Sequence, residues 1–343
     1  MVQTRQISDG FDLYPSNVAQ LGYGIDAYWQ GATGSISMIP GRFTGQGIRV
    51  VGNSVPRYRV FAEDAYGVTG FAFRLSSVAA DGVLALIQSM AGASQIALGR
   101  TNANQLALYR GNAVSDPRLA ITAGPVLIPS VWHYIELAWR CHDTLGTLAV
   151  YLDGEHLTDL DYTGDTKLSS DGALVGRVSL ISFSGANHDY DDFYVETGGN
   201  TRVGEGRFEV LPPTGDISHT GFVPSFGDLL YPVLANVPAG TSYTADAETA
   251  GDIVRLAHRP LQTSPEAIYG VQLINLSSKN EAGTRKIANV VWSDGTPYTQ
   301  PEQALMLDSF SFKDDWLAVD PDTAVAWIGA GVNAANIGVT ITL

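Results

Sequence analysis

From Trp132 to Gly154 the chain alternates apolar and polar positions, and the alternation decides what this stretch can form. Trp132, Tyr134 and Glu136 point one way and His133, Ile135 and Leu137 the other; after a short polar turn, Leu148–Leu152 repeats the two-residue period. The segment stops at Asp153-Gly154, a pair suited to a tight turn because glycine takes positive φ readily. Such a period predicts antiparallel strands and excludes an amphipathic helix. Similar short runs recur at 35–38, 47–51, 70–75, 83–89, 95–100, 105–110, 178–183 and 191–195, with Asp81-Gly82, Gly111-Asn112 and Asp171-Gly172 as further turn pairs. This spacing predicts an all-β unit over residues 1–198, a two-sheet antiparallel jelly roll. Its expected core includes Trp132, Ile135, Leu137, Trp139, Val150 and Phe193.

A boundary is expected at Gly198-Gly199. Beyond it, Pro212-Pro213 interrupts a strand and Gly215-Asp216 turns the chain. Alternation resumes over 267–277 and 285–292, then at 310–313 and 337–343, which predicts a smaller β-sandwich over residues 204–343.

Composition narrows the function classes. The chain has 343 residues, 16% of them charged, and a formal net charge of -15. Nucleic-acid binding is not expected, because it needs a basic stripe to displace counterions. Cys141 is the single cysteine, so no disulfide framework exists. The opening Met-Val-Gln-Thr-Arg-Gln-Ile-Ser lacks the apolar core of a secretory leader, and no run approaches the ~18 apolar residues of a membrane span. Assembly in the cytoplasm without membrane insertion is the expectation.

Candidate chemistry is sparse. A retaining glycosidase needs two carboxyls about 5 Å apart, and no Glu-x-Asp-x-x-Glu strand occurs. The six histidines are scattered without metal-ligand spacing, and His133 is expected to be a satisfied core residue. No cofactor is expected. Calcium is the one ion with candidate ligands: Asp189, Asp191 and Asp192 beside Asn187, or Asp159, Asp161 and Asp165. Sugar stacking would need exposed aromatic rings, for which Tyr28, Trp29, Tyr66, Tyr109 and Tyr190 are the candidates.

Several phrases resemble known families. Gly41-Arg-Phe-Thr-Gly-Gln-Gly-Ile48, Gly70-Phe-Ala-Phe-Arg74, the 132–154 segment and Asp191-Asp-Phe-Tyr-Val195 stand in the order of a laminin G-like (concanavalin A-like) jelly roll. In the second half, Tyr269-Gly-Val-Gln-Leu-Ile-Asn275, Lys279-Asn-Glu-Ala-Gly-Thr-Arg285, Asp320-Pro-Asp-Thr-Ala-Val-Ala-Trp327 and Val332-Asn-Ala-Ala-Asn-Ile-Gly-Val339 resemble structural proteins of tailed bacteriophages and phage-like particles. Asn280-Glu281 departs from the acidic pair usual there. The resemblance implies a non-catalytic virion protein (a capsid-attached, tail or fibre component) held by other virion proteins in multiple copies or as a homo-oligomer. Host-surface glycan is a further expected partner of the jelly roll. A receptor-binding lectin is the alternative, and a polysaccharide depolymerase a second one.

Overall fold

A computed structural model describes residues 3–14, 29–30, 36–52, 57–75, 81–168, 174–182, 186–235, 244–308 and 310–343. The chain divides into two units, the first holding Met1–Asp12 and Trp29–Phe208, the second Glu209–Leu343. The stretch 204–208, expected with the second domain, therefore packs with the first.

The first unit is an antiparallel two-sheet jelly roll, as the alternation predicts. Its strands are β1 (Thr4–Asp9), β2 (Ile36–Pro40), β3 (Gln46–Val50), β4 (Arg57–Asp64), β5 (Tyr66–Leu75), β6 (Gly82–Gln88), β7 (Ser94–Arg100), β8 (Leu106–Arg110), β9 (Arg118–Ile121), β10 (Trp132–Arg140), β11 (Gly146–Leu152), β12 (Glu155–His156), β13 (Tyr162–Gly164), β14 (Val175–Leu180) and β15 (His188–Thr197). One sheet runs β12-β11-β10-β5-β15-β3-β2, with β1 added on β15 and β13 on β11. The other runs β4-β14-β6-β7-β8-β9. Asp153 and Gly154 make the two-residue turn between β11 and β12 with φ of 51° and 85°, the left-handed pair a twisted hairpin requires.

Between the sheets lie the inward positions: Phe71, Phe73, Ile135, Leu137, Trp139, Val150 and Phe193 from one, and Leu84, Ile87, Ile96, Leu98 and Val178 from the other, each at most 1% exposed. The Tyr190 hydroxyl crosses the layer and reaches the Ile181 and Leu84 carbonyls at 2.5 and 2.8 Å. Gly67 lies opposite Trp139 in the register of β5 and β10, and a Cβ there would strike the indole ring. Trp132 departs from expectation: it is half-buried and sits on the outer face of the nine-stranded sheet. The reason is parity, since residues 132 and 139 are an odd number apart and must face opposite ways.

The second unit is a smaller β-sandwich. Its strands are β16 (Pro213–Thr220), β17 (Val223–Pro224), β18 (Ala245–Asp246), β19 (Ile253–His258), β20 (Val271–Ser277), β21 (Lys286–Ser293), β22 (Thr296–Thr299), β23 (Gln303–Ala304), β24 (Ser311–Leu317) and β25 (Asn336–Ile341), with short helices α1 (Tyr231–Leu234) and α2 (Gly329–Ala334). The main sheet runs β16-β19-β25-β21-β22, with β23 on β21. The β20–β24 ribbon packs on β21, where Leu273, Leu317 and Val291 share a buried cluster with Trp327. No helix among the described residues is long and apolar enough to cross a membrane.

Candidate functional site

Register assembles one transverse row on the outer face of the nine-stranded sheet. Ser37 on β2 lies opposite Arg49 on β3, Arg49 opposite Asp189 on β15, Asp189 opposite Arg74 on β5, and Arg74 opposite Trp132 on β10. Five side chains from five strands thus line up at the spacing of adjacent strands, about 4.8 Å each. The row stands first or second from the end of every strand it crosses, so it marks the rim of the sheet.

Asp189 is fully buried beneath two guanidiniums. Arg49 donates to it through Nε (2.7 Å) and Nη2 (3.0 Å); Arg74 donates through Nε (2.9 Å), with its Nη2 2.8 Å from the same oxygen as an ion pair. One arginine is enough to neutralise one carboxylate. Two positive charges over one negative leave the row with a net charge of one positive, in a chain that is otherwise acidic. The Arg49 and Arg74 side chains are 32% and 25% exposed. Neither Nη1 has a protein partner among the described residues. The Arg74 guanidinium lies over the Trp132 ring, 4.6 Å from its centroid, a cation–π contact that fixes its plane.

Further along the same face, arginines cover other rings: Arg5 over Tyr194, Arg42 over Tyr134, Arg140 over Tyr66 and Arg202 over Tyr151, at 4.3–5.1 Å. Here the face is closed by the chain leaving β15. Val203 and Phe208 pack on Val68, Ala72, Tyr134, Ala138 and Tyr194. The buried Glu136 carboxylate accepts from Gly204 N (2.8 Å) and the Tyr194 hydroxyl (2.5 Å). Burial raises the Tyr134 and Tyr194 hydroxyl pKa values, so both phenols stay protonated. A shallow hollow of about 300 Å³ at the β2–β3 turn is lined by Met38, Ile39, Pro40, Gly45 and Gln46, none of them charged.

Most of the residues expected to stack on sugar are elsewhere. Trp29 is buried between Phe11 and Phe193 and donates its indole N–H to Asp9 at 2.6 Å. Tyr109 is 3% exposed, within an apolar cluster on the six-stranded sheet, and Tyr190 is in the core. These three are corrected from platforms to packing residues, because the side chains around each ring remove nearly all of it from solvent. Tyr66 is half-buried beneath Arg140, and Tyr28 lies outside the described residues. Trp132, placed in the core from sequence, is the half-exposed aromatic at the rim.

The calcium candidates do not converge either. Asp189 is committed to Arg49 and Arg74. A β-bulge at Asp192 (φ 48°) separates the other two. Asp191 accepts from Arg42 N (2.7 Å) and Asp192 N (2.8 Å), and Asp192 from Phe208 N (2.9 Å), with the Arg42 guanidinium 3.8 Å from its second oxygen. An arginine thus stands where a cation would be needed. Asp159 accepts from Ala123 N, Asp161 pairs with His156 and Asp165 with Arg110. Among the described residues no group of three or more His, Cys, Asp or Glu side chains is arranged to hold a metal ion.

Burial, then repulsion from Asp192, pushes the Asp191 carboxyl up to about 8, and burial raises Asp192 to about 6. The folded state therefore holds these protons more tightly than the unfolded chain, where the usual value is 3.8. That stabilisation is complete below about pH 4 and is lost as pH rises towards 8. The melting temperature of Asp191→Asn relative to the wild type should climb steadily from pH 4 to pH 8. A difference that stays flat over that range contradicts the assignment.

Two histidines and the cysteine are packed rather than poised for chemistry, as expected for His133. His133 accepts from Ile128 N at Nε2 (2.9 Å) and bonds Asp153 through Nδ1 (2.7 Å), which uses both ring nitrogens. His188 is packed between Phe73 and Tyr190, and burial lowers it to about 4. Burial pushes the Cys141 thiol up to about 12, away from the reactive thiolate.

No family model matches the chain, and no curated protein matches it. Solved structures do. A carbohydrate-binding module from Bacillus subtilis aligns at 11% identity and a TM-score of 0.33, over 49% of this chain and 95% of its own. The fourth domain of an extracellular arabinanase from Geobacillus stearothermophilus, determined with arabinotriose, aligns at 11% identity and a TM-score of 0.40, over 59% and 96%. A conserved carbohydrate esterase of a Shiga toxin-encoding bacteriophage aligns at 13% identity and a TM-score of 0.36, over 57% and 99%.

Proposed function

We propose that this chain is a non-catalytic component of a tailed-phage particle whose jelly roll recognises host-surface glycan. The observation that carries the recognition role is the rim row from Ser37 to Trp132, whose two guanidiniums are part-exposed. It combines an aromatic ring, two half-exposed guanidiniums and a hydroxyl residue, the apolar face and convergent polar groups that sugar recognition needs. The absence of catalysis is supported by the same face, where Asp189, Asp191 and Glu136 are held by guanidinium, backbone N–H or tyrosine donors. A glycosidase would need carboxyls free to meet a glycosidic oxygen and a water.

The particle assignment is supported by the ordered phrases of the second half, Tyr269–Asn275 through Val332–Val339. The second unit is then the assembly contact, and repetition by particle symmetry converts weak sugar contacts into firm attachment. Mass spectrometry of purified particles should find this chain in multiple copies. Its absence from particles, or release of reducing ends from host polysaccharide by the purified chain, would sink this reading.

A further inference from the structure

Resting on that reading, we infer that the glycan taken by the rim row is acidic, with a sugar carboxylate seated between the Nη1 edges of Arg49 and Arg74, which have no partner among the described residues. A buried aspartate with one arginine is a closed ion pair. Here a second arginine is added from the opposite neighbouring strand, and both approach the same carboxylate through Nε and Nη2. That geometry turns both Nη1 groups away from Asp189, on side chains that stay 32% and 25% exposed. Among the described residues one positive charge of the row is left uncompensated, carried on the Nη1 side of the two arginines.

Guanidinium groups favour planar oxyanions, which accept two parallel N–H bonds. Trp132 acts as a positioning residue, since its ring fixes the plane of Arg74. Half-buried Ser37, at the far end of the row, adds a hydroxyl beside Arg49. The other acidic side chain on this face nearest the row, Asp191, lies one pair along β15 and is tied to Arg42 N and Asp192 N, so it does not compete for the Nη1 donors. The chain's net charge of -15 repels a polyanion at long range. That repulsion is screened within about 10 Å at 0.1 M salt, which leaves the short-range pairing to decide specificity.

The test titrates the full chain with polygalacturonate, alginate, hyaluronan and polysialic acid. Each is paired with its carboxyl-reduced neutral counterpart, and polyglutamate serves as a non-sugar polyanion. At least one acidic glycan should bind tenfold or more tightly than its reduced form. Arg74→Gln and Arg49→Gln should each abolish that preference, while Arg74→Lys restores part of it. Either glutamine variant keeps one arginine on Asp189, so the fold survives, which an unchanged circular dichroism spectrum checks. Equal binding of a glycan and its reduced form overturns the carboxylate seat but leaves glycan recognition standing. Equal binding of polyglutamate overturns the sugar assignment, and binding of none of these probes overturns both.

Discussion

Replacing Trp139 with alanine should lower the stability of the chain by about 3–5 kcal/mol, the range for deleting a fully buried large aromatic side chain. Trp139 is 0% exposed, donates its indole N–H to the Thr69 hydroxyl at 3.2 Å, and fills the space that Gly67 leaves open in the neighbouring strand. The alanine variant loses the buried ring and also leaves Thr69 without its donor. Trp132→Ala, seven positions earlier on the same strand, should cost much less because its ring is half-exposed. Chemical denaturation of both variants separates the two roles. Equal losses would show that the two tryptophans share one environment, contrary to the inward and outward assignment.

Gly338→Ala should destabilise the second unit by about 3 kcal/mol, at the upper end for overpacking a well-filled site. β25 is central in its sheet, flanked by β19 and β21. A Cβ at position 338 would run into the Val254 carbonyl of the adjacent strand and press on the Trp292 ring. The obstacle is backbone on one side, so no rotamer change relieves it. The unfolding transition reported by Trp292 and Trp327 fluorescence should move to lower denaturant, and an unmoved transition would mean that the sheet accommodates the methyl group.

The sequence made the fold legible where one parity held along a whole strand. Ile135, Leu137 and Val150 are in the core, and Asp153-Gly154 turns as its residue types require. The same parity separates Trp132 from Trp139, but aromatic size made both look like core. At β15 parity does not carry through: Asp189 and Asp191 face outward, the bulge at Asp192 resets the strand, and Phe193 turns inward beside Trp29. A single extra residue of this kind leaves no mark in a hydrophobicity pattern. The rim row was hidden for a different reason. Arg49, Arg74, Trp132 and Asp189 are scattered over 140 positions, and only the strand order β3-β15-β5-β10 brings them side by side. Two sequence signals point to it: an arginine closing the apolar run Gly70–Arg74, and Asp189, a calcium candidate in sequence that the fold places under two guanidiniums.

Glycan recognition is proposed for the rim of the nine-stranded sheet. Amide hydrogen exchange of the full chain, with and without purified host-surface polysaccharide, tests it most directly. Added protection is expected at the strand ends carrying Ser37, Arg49, Arg74 and Trp132, and none over β7–β9. Protection confined to the six-stranded sheet or to the second unit, or no protection at all, would contradict it.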